Sequence, residues 1–513
     1  MKTFMTAGTF KGFGLVMALM VLAGCSVAPT YNKPAAIVPS AYKEAPAADA
    51  QAGQWKPAQP AEQFDRGAWW SVFGDPTLND LEHQAISANQ NLQAATARLK
   101  QSRAMTQAFR ASLFPTLDAG FGPTRQMPSG ASQNMPQGTT ASPQTLYRAQ
   151  VGVSYEVDLF GRVSSIAGAA EADEQRSEAL FRSVLLALQA DVAQNYFTLR
   201  QLDAESDVFA NAVGLREQAL KLLQSRFDAG EISELDVARA KSELATARSD
   251  AMTVQRMRAA SEHSLAVLLG KAPADFAMAP RPLERVSFRL PTGLPSALLE
   301  RRPDIAAAER AMAMANARIG AAKAAFFPSL TLTGVAGYEA GSMGDLFKWS
   351  SRSFLLGPLA GTMLNLPIFD GGLRKGNLAN ARAVYEEDVA AYQQQVLTAF
   401  RDVEDSLSDL RVLETQTATQ SNAVNASGRA AQVSRAQYKE GAVTYLEVID
   451  AERTVLQTNR AAVQLHGLEA VATVNLIRAL GGGWEGFDAV AGAGKSTPEH
   501  QANRQTVAVD SRK

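Results

Sequence analysis

The chain has one cysteine in 513 residues, so an internal disulfide is excluded. Histidine is nearly absent: His83, His263, His466 and His500 are scattered, with no second histidine or cysteine at ligand spacing. No metal site and no cofactor is expected from that pattern. Formal net charge is −1, and no broad basic face argues for nucleic acid. No Ser/His/Asp arrangement or carboxylate pair sits in a recognisable pocket context, so no enzyme is expected. The segment AGAGKST at residues 491–497 resembles a phosphate loop. It has Ala489 where the first glycine is required, no strand before it, and Pro498 behind it.

What is present begins at the N-terminus. Lys2 and Lys11 precede the apolar run FGLVMALMVL, then LAGC. A run of about ten apolar residues is too short to cross a bilayer as a helix and reads as a secretory signal. Leu22-Ala23-Gly24-Cys25 resembles a bacterial lipobox. That likeness implies cleavage before Cys25 and acylation of its thiol and amine. Ser26 follows, not the aspartate that retains such proteins at the inner membrane, so the outer membrane is the implied destination. The Pro-, Ala- and Gln-rich stretch after it reads as an extended segment able to drape over a folded body. The polar residues after Trp484 read as disordered.

Proline is missing from Arg162 to Asp228 and from Leu373 to Lys439. Phe181, Leu185, Leu188, Val192 and Leu199 recur at helical spacing inside the first stretch. Roughly 65 helical residues make a rod of about 100 Å. Each rod is expected to break at a glycine, Gly230 or Gly441, and to return as a helix of about 37 residues. Asp75-Pro76 is a helix start, with a helix running to about Ser112. FFPSLTLTGVAGY echoes LFPTLDAGFG, and LNLPIFDGG echoes YEVDLFG. The chain is thus an internal duplication, each half reading helix–strand–strand–long helix–helix. The expected units are 1–24 signal peptide, 25–70 acylated segment, 71–295 first repeat, 296–484 second repeat and 485–513 tail. By length, pairs of short helices are expected to stack end to end beside each long rod.

Val151, Val153, Tyr155, Val157 and Leu159 alternate with Gly152, Ser154, Glu156 and Asp158. A period of two over about ten residues suits a transmembrane β-strand. Four such strands cannot close a barrel, which needs about eight. A barrel must therefore be shared between chains, two or three by this reasoning alone. A small soluble sheet is the plainer alternative.

Trp69-Trp70, Phe73, Asp75-Pro76, Leu78 and Leu81 resemble the opening signature of the TolC-like outer-membrane efflux channels, in their lipoprotein branch. Arg301-Arg302-Pro303-Asp304-Ile305, FFPSL, FDGG and the two glycine hairpins are similar to that family as well. The resemblance implies a mostly helical α+β trimer: a shared 12-stranded transmembrane β-barrel continuous with a long periplasmic α-helical barrel. It implies a passive exit duct for small toxic compounds. The partners would be an inner-membrane proton-driven pump and a periplasmic adaptor, within outer-membrane lipid. An outlet for type I protein secretion, and a non-porous lipid-anchored stalk, are the alternatives.

By the same resemblance the hairpins lie at the periplasmic end. Leu446, Glu447 and Asp450 then form the closed aperture, with Asp236 on the neighbouring hairpin. Residues three and four apart share a helix face, so these can converge. Phe227, Gly230, Tyr438 and Gly441 mark the tips expected to meet the adaptor. Some relatives carry a linking basic residue two past the second glycine; here Val443 stands there, so any lock must use other pairs. A solvated face, with Asp450 paired to Arg453 and Asp236 to Arg239, is the plainer reading of the same carboxylates.

Overall fold

The computed structural model describes residues 26–35, 39, 42–44, 68–136, 138–283, 301–357 and 363–482. The signal, Cys25 and the tail lie outside the described residues.

The first repeat runs α1 (Pro76–Ala88), α2 (Gln90–Ala111), β1 (Thr116–Gln126), β2 (Gln144–Val157), α3 (Arg162–Asp228) and α4 (Glu234–Leu268). The second runs α5 (Pro303–Ala324), β3 (Ser329–Ala340), β4 (Arg352–Leu356), β5 (Leu364–Asn365), α6 (Leu373–Lys439) and α7 (Tyr445–Ala479). The two rods α3 and α6 have 67 residues each, and the return helices α4 and α7 have 35 each. In one half of the wall the helices lie in the order α2, α3, α5, α6; in the other, α4, α3, α7, α6.

Short helices do stack end to end, but each 35-residue return helix meets the 22-residue helix ahead of the strands in its own repeat, not a second helix of its own length. Asn89 Nδ2 donates to the Leu268 carbonyl at 2.9 Å, bringing the end of α4 to the α1–α2 joint. Arg302 Nη1 donates to the Ala479 carbonyl at 3.2 Å, joining α7 to α5. Gly270 and Gly481, with φ 68° and 87°, turn the chain at these seams. A Cβ at Gly270 would lie 2.4 Å from the Ala88 carbonyl oxygen, so only glycine fits there.

The core is a series of clusters along the wall. Trp69, Trp70, Leu78 and Leu81 pack on Tyr196, Leu199, Leu265 and Ile477 at mid-height. Ile305, Met312, Tyr392, Val396 and Val403 form a second cluster, which Tyr42 of the N-terminal segment joins. Each fully buried large side chain contributes about 1.5–3 kcal/mol. The N-terminal segment does drape: Asn316 binds the Pro29 carbonyl, Tyr31 donates to Glu309 at 2.7 Å, and Glu44 pairs with Arg411 at 2.7 Å.

Three local expectations are corrected. The first helix does not run unbroken to Ser112; it breaks at Asn89, whose side chain caps Leu92 N while holding α4. The second strand stops at Val157, short of Leu159, because the Asp158 carboxylate turns to cap α3 through Val163 N and Ser164 N at 2.9 and 2.8 Å. The fourth strand is two pieces, β4 and β5, both paired with β3. Gly357, at φ 117°, ends β4, and Pro367, which has no N–H, follows β5.

The sheet is antiparallel in the order β1-β2-β3-β4, with β5 also on β3. Its register aligns apolar residues laterally. Leu117 faces Val153, Val153 faces Gly334, and Gly334 faces Leu356; Ala119, Val151, Ala336 and Phe354 form the next row. The alternate rows carry Asp118, Gly152, Val335 and Leu355, then Gly120, Gln150, Gly337 and Ser353. Leu117 is 75% exposed and Phe354 80%, so among the described residues nothing covers the apolar face.

Candidate functional site

The hairpin ends are built alike. Gly230 and Gly441 take φ 78° and 75°, the left-handed region that favours glycine. At the first tip Gly230 N donates to Phe227 O and Glu231 N to Arg226 O, at 2.8 and 2.9 Å. At the second, Gly441 N donates to Tyr438 O and Ala442 N to Gln437 O, at 3.1 and 2.9 Å. These paired bonds close the last turn of each rod.

Beneath the tips Leu223, Ala240, Tyr445, Val448 and Ile449 form one apolar cluster. That cluster sets the rotation of α7. Tyr445, Val448 and Ile449 point inward, so Leu446, Glu447 and Asp450 are exposed together, Leu446 by 41%. Phe227 is exposed beside the first glycine, and Tyr438 is half-buried against the Tyr445 ring at 5.5 Å. Burial pushes the Tyr445 phenol up to about 12. Val443 is half-buried and brings no charge.

The pairs expected on a solvated face are present: Asp450 with Arg453 at 3.5 Å and Asp236 with Arg239 at 3.7 Å. Arg453 also has a better partner that sequence reasoning missed. Its Nε donates to Glu243 Oε1 at 3.1 Å, and Nη2 contacts the same oxygen. The other oxygen of Glu243 pairs with Arg216 at 3.5 Å. Both Glu243 and Arg216 are buried. One carboxylate thus ties α3, α4 and α7 together. The hydrogen bond to Glu243 raises the Arg453 guanidinium above its ordinary value. A second link joins the rods, from Arg226 to the Tyr438 hydroxyl at 3.4 Å. The available clue was spacing: Glu243 stands two turns beyond Asp236, on the same side of α4.

At the other end, Asp158 and Asp370 cap the two rods. Asp370 accepts from Gly372 N and Arg374 N, both at 3.0 Å. Gly161 leaves room for Ser26, whose Oγ would lie 2.7 Å from a Cβ built there. The residue after Cys25 is therefore seated where strand becomes rod. Among the described residues no cluster of histidine, cysteine and carboxylates could hold a metal, and no helix is long and apolar enough to cross a membrane.

Two duplicated rod hairpins on an antiparallel sheet with one apolar face define the class of TolC-like outer-membrane channels. The chain belongs to the outer membrane efflux protein family, whose model matches residues 81–271 and 294–482. It is 35% identical over 478 residues to the toluene efflux pump outer membrane protein TtgC of Pseudomonas putida, covering 92% of this chain and 95% of that one. It is 33% identical over 502 residues to the outer membrane protein OprJ of Pseudomonas aeruginosa, covering 96% and 98%. The solved outer-membrane channel OprN superposes with a TM-score of 0.79 at 30% identity, covering 90% of this chain and all of that one. The family is one of efflux channels, not enzymes.

Proposed function

We propose that three copies assemble into a 12-stranded barrel and a helical tunnel, the passive exit duct of a tripartite pump for small toxic compounds. The observation that carries this is the sheet. Its apolar rows are uncovered, and among the described residues β1 pairs only with β2, and β4 only with β3. Bare edges are not tolerated in lipid, so other copies must complete the sheet. Acyl chains on Cys25 anchor the protein to the outer membrane, and Ser26 at the sheet–rod junction supports that placement. Relatives named for toluene and antibiotic efflux support small compounds as the cargo.

Leu446, Glu447 and Asp450, with Asp236, form the resting aperture. The shared exposure of Leu446, Glu447 and Asp450 on α7 supports this reading, because clustered carboxylates narrow an opening and attract cations. In place of a basic residue at Val443, the lock is Arg453–Glu243–Arg216 with Arg226–Tyr438. A proton-driven inner-membrane pump supplies the energy, and an adaptor docks at the tips around Gly230 and Gly441.

The test is single-channel recording in planar bilayers. Replacing Glu447 and Asp450 by alanine should raise conductance and weaken block by multivalent cations. Unchanged conductance and block would remove the aperture from these residues.

A further inference from the structure

At the end of the sheet away from the rods, charge is divided unevenly between the two faces. On the apolar face the row after Phe354 is Phe121, Ala149, Tyr338 and Arg352. Pro123, Tyr147 and Ala340 come next, then Arg125 and Thr145. The opposite face carries Gly122, Arg148 and Glu339 in its own next row. Arg148 pairs there with Glu339 at 2.6 Å. In the loop before β4, Lys348 pairs with Asp345. Arg125 and Arg352 are exposed and meet no carboxylate among the described residues. Both uncompensated cations share the apolar face.

A second copy has no carboxylate to offer them. The sequence has no aspartate or glutamate between Asp118 and Glu156, nor between Asp345 and Asp370. Glu339 and Asp345 are already paired. A guanidinium turned to lipid is tolerated near the interface, where it reaches an anion.

Arg352 is held ready for one. Its guanidinium carbon lies 3.1 Å from the centre of the Trp349 ring, and Nε donates to the Trp349 carbonyl at 2.9 Å. Stacking and that bond fix the guanidinium plane. Both Nη nitrogens are left without a partner among the described residues, a fork that matches two oxygens of one phosphate. Trp349 and Phe347 are exposed, and Phe347 lies 5.7 Å from the Tyr338 ring. Rings of this kind sit at the headgroup level of a bilayer. Height agrees. From Leu330 to Tyr338, β3 rises about 27 Å at roughly 3.4 Å per residue, or about 20 Å along the membrane normal at the usual tilt. Apolar bands of such barrels are about 25 Å tall, so Tyr338 and Arg352 stand at the outer rim.

We propose that Arg352 on Trp349, with Arg125 beyond it, binds the phosphate of an outer-leaflet lipid headgroup. This rests on the barrel reading above, which turns the apolar face to lipid. The probe is lipid A, a glycolipid with two phosphates, beside its dephosphorylated form. Lipid bound to the full-length protein in detergent is counted by native mass spectrometry, and conductance is recorded on the same preparations. Lipid A should bind about tenfold tighter than the dephosphorylated lipid. Arg352→Gln should remove most of that preference. Arg352→Lys keeps the charge but loses the stack and the fork, and should fall between. Arg125→Gln should weaken binding about threefold. Arg148→Gln, on the other face, should leave it unchanged. Equal binding of the two lipids, or an Arg352→Gln protein that keeps the preference, overturns the proposal. So does displacement of lipid A by an equal concentration of inorganic phosphate, which would make the ligand a free anion. A shift in ion selectivity with Arg352→Gln would place this residue in the lumen and overturns it too. Monomeric protein that conducts no ions yet prefers lipid A refutes the channel reading and leaves the phosphate site standing.

Discussion

Arg453 and Glu243 are 210 residues apart and meet at 3.1 Å, one on the return helix of each hairpin. Their contact ties the two return helices together behind the tips. Arg453 is half exposed, whereas Glu243 is buried and keeps Arg216 as a second partner. Arg453→Ala therefore cuts the tie without stranding a buried charge, at a cost of about 1–2 kcal/mol. Single-channel conductance should rise severalfold while the trimer persists. Glu243→Ala leaves Arg216 buried and unpaired, and should also lower thermal stability, by about 3 kcal/mol. A closed channel in Arg453→Ala would place the lock elsewhere.

The tip glycines separate strain from docking. Nothing lies within 4 Å of a Cβ built at Gly230 or Gly441, so alanine costs only the left-handed backbone, about 1–2 kcal/mol. Gly441→Ala should leave trimer and conductance intact but reduce drug export in cells. Normal export would show that the adaptor does not use this tip.

Glu82 carries a pH prediction. It is fully buried in α1, and neither carboxylate oxygen has a hydrogen-bond partner among the described residues. Burial pushes its carboxyl up to about 9, from an ordinary 4.5. Folded protein keeps the proton where unfolded chain has lost it, so stability falls as pH rises between those values. The loss from this group at pH 7 is on the order of 3 kcal/mol. Glu82→Gln should raise the melting temperature at pH 8 and leave it nearly unchanged at pH 4.5. Equal shifts at both pH values would mean that Glu82 is not protonated in the native state.

The rod caps predict a local loss. Asp370→Ala leaves the N–H groups of Gly372 and Arg374 without this acceptor and should lower protection at the start of α6. Asp370→Asn retains an acceptor oxygen and should lose less than half of that. Hydrogen exchange in the first turn of α6 is the direct readout; equal protection in both variants and the parent would dismiss the cap.

Long-period features were readable in the sequence. Proline-free stretches bounded by glycine placed α3 and α6 within a residue or two, because backbone chemistry alone sets such limits. The alternation of Val151, Val153 and Tyr155 marked a strand with one apolar face for the same reason. Asn89 was not readable as a break. Asparagine is tolerated inside helices, and its role comes from Leu268, a residue far along the chain. Glu243 was missed on similar grounds: its two arginines come from other helices, and only packing brings them together.

The seams between α2 and α4 and between α5 and α7 carry a mechanical consequence. In each repeat one strut crosses mid-height unbroken while its companion is jointed there. A torque at the tips meets continuous material in only half of the wall. The joints fall at Gly270 and Gly481, so the unbroken path past mid-height runs through α3 and α6 alone.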